Sequence, residues 1–484
     1  MLQVLINKRE KDNKNPLVYG FFEEQSSVLI DDALNEEIID LFNNGFIDKK
    51  LGAVNKIYSL GKLKNNVVYL VCLGKLTTFN LDQLEKALMN VNYKLGSELN
   101  INLDSLAGNL DLSEVVKRVV TAIGYYNYVF DELQSKKVNN ELTLNLITNK
   151  QLDFTKEVEE AFNLVTALNN VRDLVNKPYN HLNAVELAEY AENLVDELDN
   201  KKVGLKIYNK KEIEELEMHA FLGVNKGSKT EPRLIHLTYN GGKGEYVGLV
   251  GKGVMFDTGG YSIKTNMLNM KCDMAGAATV LGVFEAVVKN ELPINLQVVV
   301  CATDNKINGS ALVPDDVITA MNKLTIEIKS TDAEGRLTLA DALTFTQQQG
   351  AKEVIDIATL TGAIVVALGS DVTGLFGNDQ EMINNFLKAS KEANEEVWHM
   401  PINDSIRKKV RDSKVADLLN STGREMGASS AAAFLEAFVE EGTKWLHLDI
   451  AGTAFTTSPA NGQFYGATAA TVKSLYTYLK NKNA

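Results

Sequence analysis

Residues 248–278, GLVGKGVMFDTGGYSIKTNMLNMKCDMAGAA, decide the reading of this chain when they are taken with residues 330–339, STDAEGRLTL. The two stretches carry Lys252, Asp257, Lys264, Asp273, Asp332, Glu334 and Arg336 on short turns punctuated by glycine. Four carboxylates and three cations beside strongly apolar runs are too many charges for a core, unless they neutralise one another or hold metal. Taken singly, each Asp is an ordinary cap, Lys252 an ordinary surface residue and Arg336 an ordinary ion-pair partner. The density of the group makes the case, and we read it as a two-metal site.

The local patterns agree. EYVGLVG is an apolar run of strand length that ends at Gly251 and Gly253, which puts Lys252 and Asp257 near the carboxyl end of a strand. In open α/β sheets that edge is where ligands bind. Asp273 opens DMAGAATVLGVFEAVVKN, whose apolar residues recur at helical spacing, so it stands at a helix N-terminus. STDAEGR lies between strand-like LTIEIK and helix-like LTLADALTFTQQQ. Asp332 and Glu334 are two apart, so an extended turn points both the same way. Oxygen ligands of this kind suit magnesium, manganese or, at fixed geometry, zinc. Two such ions about 3.5–4 Å apart share a hydroxide that is nucleophilic near neutral pH and hydrolyses carbonyl or phosphoryl bonds.

Working outward, 484 residues allow about three domains or two larger ones. Apolar residues make up 45% and charged residues 23%, as in a globular protein with a real core. No apolar run reaches the ~20 residues of a membrane span, and the first residues lack a signal-peptide core. Cys72, Cys272 and Cys301 show no CxxC pairing and no disulfide framework, so a cytoplasmic, reducing home is expected. A net charge of −13 argues against broad contact with nucleic acid or anionic lipid.

Up to about residue 160, strand-like LQVLIN, AVNKIYSL, NVVYLVCLG and LTLNLIT alternate with helix-like segments over 35–45, 81–99 and 113–133. This predicts a compact α/β domain without a catalytic cluster. The aromatics Tyr125, Tyr126, Tyr128 and Phe130 are expected to pack in a core or interface. A long helix over 151–176 leads out of this domain and is broken by NKPYNHLN. Residues 292–329 read as strand, long loop, short helix and strand, and residues 352–368 supply a buried strand whose TLTG end faces the site's edge. His447, on a buried strand, is expected in the core or behind the ligands. Two nucleotide motifs fail: Tyr246 and Gly253 break a Walker A loop, and Phe256 breaks a dinucleotide fingerprint.

The chain resembles the leucyl aminopeptidase (cytosol aminopeptidase) family, whose signature NTDAEGRL appears here as STDAEGRL. VGKGVMFDTGGYSIK, KCDMAGAA, ATLTGA and HLDIAGTAF extend the likeness in order from about Val171 onward. The resemblance implies an α/β fold, with a smaller N-terminal α/β domain (1–160, structural or oligomeric in role) joined by a helix to a larger C-terminal α/β/α catalytic domain (161–484) with a mixed central sheet. It also implies a metal-dependent aminopeptidase that releases leucine and other apolar N-terminal residues.

Residue by residue, the resemblance assigns Lys252, Asp257, Asp273, Asp332 and Glu334 as ligands of two divalent ions, manganese or zinc ahead of magnesium or cobalt. A ligating Lys252 is a neutral amine, which nearby dications enforce. Lys264 and Arg336 are the catalytic residues that bind no metal: Lys264 stabilises the developing oxyanion, and Arg336 holds a bicarbonate that shuttles the proton. Met270, Thr359, Gly362, Ala451 and Ala454 line the pocket for the first side chain, and the Leu360 carbonyl holds the substrate backbone. Peptides with a free N-terminus are the expected substrates, and a homohexamer the expected assembly.

The chain departs from the family at Val313-Pro314-Asp315-Asp316, where Arg-Pro-Gly-Asp is usual, at Lys323-Leu324, where Gly-Lys is usual, and at Ser330. Asp at 315 suggests a different turn, because Asp adopts positive φ less easily than Gly. A dinuclear phosphoesterase and a DNA-binding protein are the rival readings. The first commonly recruits histidines, and none of the five here lies in either metal segment. The acidic balance opposes the second.

Overall fold

A computed structural model describes residues 2–7, 14–91, 97–138, 140–457 and 465–482. By compactness the described residues form two units, one up to residue 169 and one of 170–457 with 465–482, dividing inside the helix Thr155–Asn176.

In the N-terminal unit, β1 (Leu2–Asn7), β2 (Leu17–Phe21), β3 (Val54–Tyr58), β4 (Val67–Cys72), β5 (Glu98–Asn102) and β6 (Leu142–Ile147) form one sheet in the order β1-β6-β5-β2-β4-β3. Only β3 runs antiparallel to its neighbour. The sequence reading missed β2 and β5. LVYGF and ELNIN are short, with a glycine or asparagines inside, and each is fixed by strand pairing rather than by its own pattern. The helix expected over 81–99 is described only as Leu81–Leu88; residues 92–96 lie outside the described residues, and Glu98 already belongs to β5. The helix expected over 113–133 ends at Tyr126, where the Asn127 side chain turns to the Asn140 carbonyl at 2.8 Å. Of the four aromatics, Tyr128 is buried and Tyr126 packs against the apolar cluster under the sheet.

In the C-terminal unit the described strands are β7 (Val203–Tyr208), β8 (Arg233–Asn240), β9 (Tyr246–Asp257), β10 (Asn295–Asn305), β11 (Val317–Thr319), β12 (Thr325–Glu327), β13 (Ala351–Ala358), β14 (Thr373–Gly377), β15 (Val397–His399), β16 (Leu418–Leu419), β17 (Lys444–Asp449) and the short pair β18 (Phe455–Thr456) and β19 (Gly466–Ala467). Eight of them make a mixed sheet in the order β15-β14-β17-β13-β9-β10-β8-β7. Its centre, β17-β13-β9-β10, is parallel, so four carboxyl ends share one edge. These strands are nearly continuous apolar runs because both faces are covered. Gly248 faces Thr346 of the helix Gly335–Gln348, and Gly251 faces Ala277 of the helix Ala275–Lys289. Positions three apart on a strand point to opposite faces, which makes the layers α/β/α.

Two local expectations are corrected. The segment expected as a short helix is β11, which pairs antiparallel with β12; Val317 and Thr319 are exposed and Ile318 buried, a strand's alternation. The turn at Asp315 keeps a left-handed backbone, φ +73°, and Lys323 takes φ +74°. Both non-glycine residues hold the conformation that glycine would serve, so the departures are absorbed as backbone strain rather than as a different turn.

Candidate active site

β9 outruns its neighbour, and this builds the site. Ile357 of β13 pairs with Gly251, after which β13 turns away while β9 continues beside β10 to Asp257, opposite Asn305. Lys252 therefore stands inside a strand rather than on a turn, at the level where β13 ends, and its Nζ donates to the Thr359 carbonyl at 3.0 Å. Asp257 closes the strand. The turn after it brings back Lys264, whose backbone N–H bonds the Thr258 carbonyl at 2.9 Å. Gly259 makes that turn possible: its φ is +85°, and a Cβ there would lie 2.9 Å from Asp332 Oδ1.

Asp273 sits on a short 3₁₀ turn, Met270–Met274, directly before the helix Ala275–Lys289. Asp332 and Glu334 lie on the turn before the helix Gly335–Gln348. Gly335 is needed for close approach, since a Cβ would meet Lys252 Cε at 2.5 Å. Asp257, Asp332 and Glu334 each present one oxygen, all within 4.8 Å of one another. Two segments some seventy-five residues apart thus meet.

The lysines tie the carboxylates together. Lys252 Nζ lies 2.8 Å from Asp273 Oδ1 and 3.0 Å from Glu334 Oε1, and Lys264 Nζ lies 2.8 Å from Asp257 Oδ2 and 2.6 Å from Asp332 Oδ1. Burial pushes the Asp273 carboxyl up to about 8 against the pull of Lys252, and burial also raises Glu334 and Asp332. Burial opposes charge on Lys252 and Lys264, yet the facing carboxylates hold both ammoniums above the usual lysine range. A neutral Lys252 amine therefore requires stronger positive charge among the same carboxylates. Burial lowers the Arg336 guanidinium to about 10, although Glu334 and Asp449 favour its charge.

Divalent ions fit these residues. Four carboxylates face two lysines, and Asp273 Oδ2 and Glu334 Oε2 are buried without a hydrogen-bond partner among the described residues. Orphaned carboxylate oxygens in a dry site are costly unless a cation takes them. An all-oxygen set with one amine suits hard divalent ions.

Of the other anticipated residues, Thr359 and Met270 adjoin Asp273. Thr359 Oγ1 donates to Asp273 Oδ1 at 2.8 Å, and Met270 is half-buried on the same 3₁₀ turn as Asp273. Leu360 and Ala451 pack against one apolar cluster, while Gly362 opens onto free space, where a Cβ would meet nothing within 4 Å. Ala454 is buried at 3% exposure, deeper than a pocket wall requires. Arg336 Nη1 donates to the Asn420 carbonyl at 2.7 Å, and its buried Nε has no partner among the described residues. Ser330 replaces the usual asparagine yet still offers its oxygen to the Asp332 N–H at 3.2 Å.

Several residues that organise the site carried no signal in the sequence. Asn305 Nδ2 donates to Asp257 Oδ1 at 2.8 Å and to the Thr331 carbonyl at 3.0 Å, joining the two carboxylate-bearing segments. Thr331 and Ser262 exchange side-chain and backbone hydrogen bonds, Ser262 N–H to Thr331 Oγ1 and Thr331 N–H to Ser262 Oγ. Buried Asp449 accepts from the Leu360 and Ala451 N–H groups and from Thr361 Oγ1. His447 is fully buried against Asp356 at 2.6 Å, in the core as expected. Asn305, Ser262, Thr331 and Asp449 each stand at a strand end or in a turn, where the spacing of polar residues is uninformative.

Comparison with known proteins agrees with this fold. The catalytic-domain pattern of the cytosol aminopeptidase family matches residues 169–476, and the pattern of that family's N-terminal domain matches residues 20–137. Among solved structures, the bottromycin maturation enzyme BotP in complex with Mn is 28% identical, with 97% of this chain and 100% of that chain covered at a TM-score of 0.87. A second structure of BotP is 29% identical, covering 97% and 99% at a TM-score of 0.86. With both domain patterns of that family matched along it, the chain belongs to the cytosol aminopeptidase family, a family of metal-dependent peptide hydrolases.

Proposed function

We propose that the enzyme releases N-terminal amino acids, preferentially leucine and other apolar residues, from peptides with a free amino terminus. The observation that carries this reading is the convergence of Asp257, Asp332 and Glu334 oxygens within 4.8 Å, beside orphaned oxygens of Asp273 and Glu334. Lys252, Asp257, Asp273, Asp332 and Glu334 would hold two divalent ions, with manganese or zinc favoured. When bound, such ions supply Lewis acidity and lower the pKa of water, so that hydroxide is available near neutral pH.

The chain's own residues do the rest. Lys264 is held at the cluster by Asp257 and Asp332 with its side chain 22% exposed, so its ammonium reaches the substrate side and stabilises negative charge on the scissile carbonyl oxygen. Arg336 turns one nitrogen to Asn420 and keeps Nε without a partner among the described residues, so its planar guanidinium would hold a bicarbonate, which would supply a proton relay for the leaving amine. Thr359, Leu360, Gly362, Ala451 and Met270, with Ala454 behind them, offer small and apolar surface, which favours an apolar first side chain.

A homohexamer in the reducing cytoplasm completes the reading; the three free cysteines fit that compartment, and sedimentation of the purified protein tests the assembly. The reaction is tested by refilling metal-depleted protein separately with manganese, zinc, cobalt and magnesium, and comparing leucine anilide with its N-acetyl derivative. Cleavage of the unblocked compound alone is expected. Equal cleavage of both would reject aminopeptidase action.

A further inference from the structure

Asn420 belongs to a stretch that reads in sequence only as a polar loop before the helix Gly427–Glu436. The fold gives it a particular neighbour. β16 pairs parallel with β12, Leu419 opposite Glu327, and the Asn420 N–H continues the pairing to the Glu327 carbonyl at 3.1 Å. This delivers Asn420, fully buried, alongside the chain as it leaves β12 for STDAEGR.

Its side chain then reads the backbone of that turn on both edges. Oδ1 accepts from the Lys329 N–H at 2.7 Å and the Ser330 N–H at 3.3 Å. Nδ2 donates to the Ser330 carbonyl at 2.7 Å and the Ala333 carbonyl at 3.4 Å. Its own carbonyl accepts from Arg336 Nη1 at 2.7 Å. One residue thus brackets Asp332 in the turn and receives the guanidinium that follows it. Only a primary amide of this length offers an acceptor and two donors at the right separation; aspartate would turn oxygens toward two carbonyls, and leucine would leave the backbone partners of the amide unsatisfied while keeping only the main-chain carbonyl for Arg336.

We propose that Asn420 is a positioning residue for peptide cleavage: it locks the turn bearing Asp332 and Glu334 and sets Arg336 against it, so that ligands and guanidinium are held as one body. The inference rests on the aminopeptidase reading above. Asn420 acts through the turn and through Arg336, so the two residues are coupled.

The test compares Asn420→Ala, Asn420→Asp, Arg336→Lys and the double variant Asn420→Ala/Arg336→Lys, as metal-loaded full chains acting on leucine anilide. Both Asn420 variants are expected to lose about ten- to a hundredfold in kcat, the usual effect of groups that support metal ligands, with KM changed by less than about threefold. The double variant is expected to be no slower than Arg336→Lys alone, within about threefold, because coupled residues are not additive. Should Asn420→Ala fail to fold, Asn420→Asp, which keeps the acceptor atom, carries the same comparison. A kcat within about twofold of the wild type, or losses that multiply in the double variant, would overturn the proposal. A wild-type enzyme inert toward the anilide would instead sink the aminopeptidase reading, so the two failures are distinct.

Discussion

Lys252 stands where, on the proposed reading, its ammonium and a divalent ion would compete for Asp273 and Glu334. Asp257→Asn and Glu334→Gln each remove a charged oxygen from the cluster, and turnover should fall by more than the about 10–100-fold typical of supporting groups, measured as kcat at saturating metal. Arg336→Lys keeps the charge and loses the planar fork, so kcat should fall about a hundredfold or more while bound metal, measured by elemental analysis, stays constant. Asp341, away from the cluster, gives a pH prediction. Burial pushes its carboxyl up to about 7, although it accepts the Phe221 and Met321 N–H groups. Its folded pKa is above the unfolded value, so its contribution to stability is complete below about pH 4 and lost as pH rises through about 7. The stability gap between wild type and Asp341→Asn, followed by urea unfolding, should narrow between pH 5 and 8 by about 1–3 kcal/mol. At this scale the sequence was legible wherever charge sat among glycines and apolar runs, as at Asp257, Asp273, Asp332 and Glu334. Asn305, Asn420 and Asp449 were invisible because their partners are backbone groups brought from remote segments.

Among the elements, the unequal lengths of β9 and β13 matter most, because the overhang carries Lys252 and Asp257 to the sheet edge where the other carboxylates gather. The apolar run of β9 was readable, but its extension through Gly253 to Asp257 depends on β10 beside it. The helices Ala275–Lys289 and Gly335–Gln348 were readable from their apolar content, since almost every residue in them is buried. β11 was misread because three residues fix no period until β12 pairs with them. Its hairpin closes through Lys323 at φ +74°, an exposed lysine whose ion pair with Glu217 is solvent-facing and worth little. Lys323→Gly should therefore stabilise the protein by up to about 1 kcal/mol by relieving left-handed strain, visible as a higher melting temperature. A lower melting temperature would contradict that reading of the turn.

For the molecule as a whole, the α/β class and the two units followed from alternating patterns and the long helix at Thr155–Asn176, whereas strand order did not, because pairing partners lie far apart in sequence. Among the described residues no helix is long and apolar enough to cross a membrane. Stability should depend on metal, since four carboxylates balanced by two lysines are relieved by any cation that binds only the folded state. Saturating manganese at a hundred times its dissociation constant should add about 2.7 kcal/mol, and chelation should remove it. The most direct measurement is equilibrium dialysis against manganese, with bound ions counted per chain for wild type and Glu334→Gln. The account predicts about two ions for the wild type, with fewer bound and activity lost in the variant. Unchanged stoichiometry together with unchanged cleavage in Glu334→Gln would contradict it.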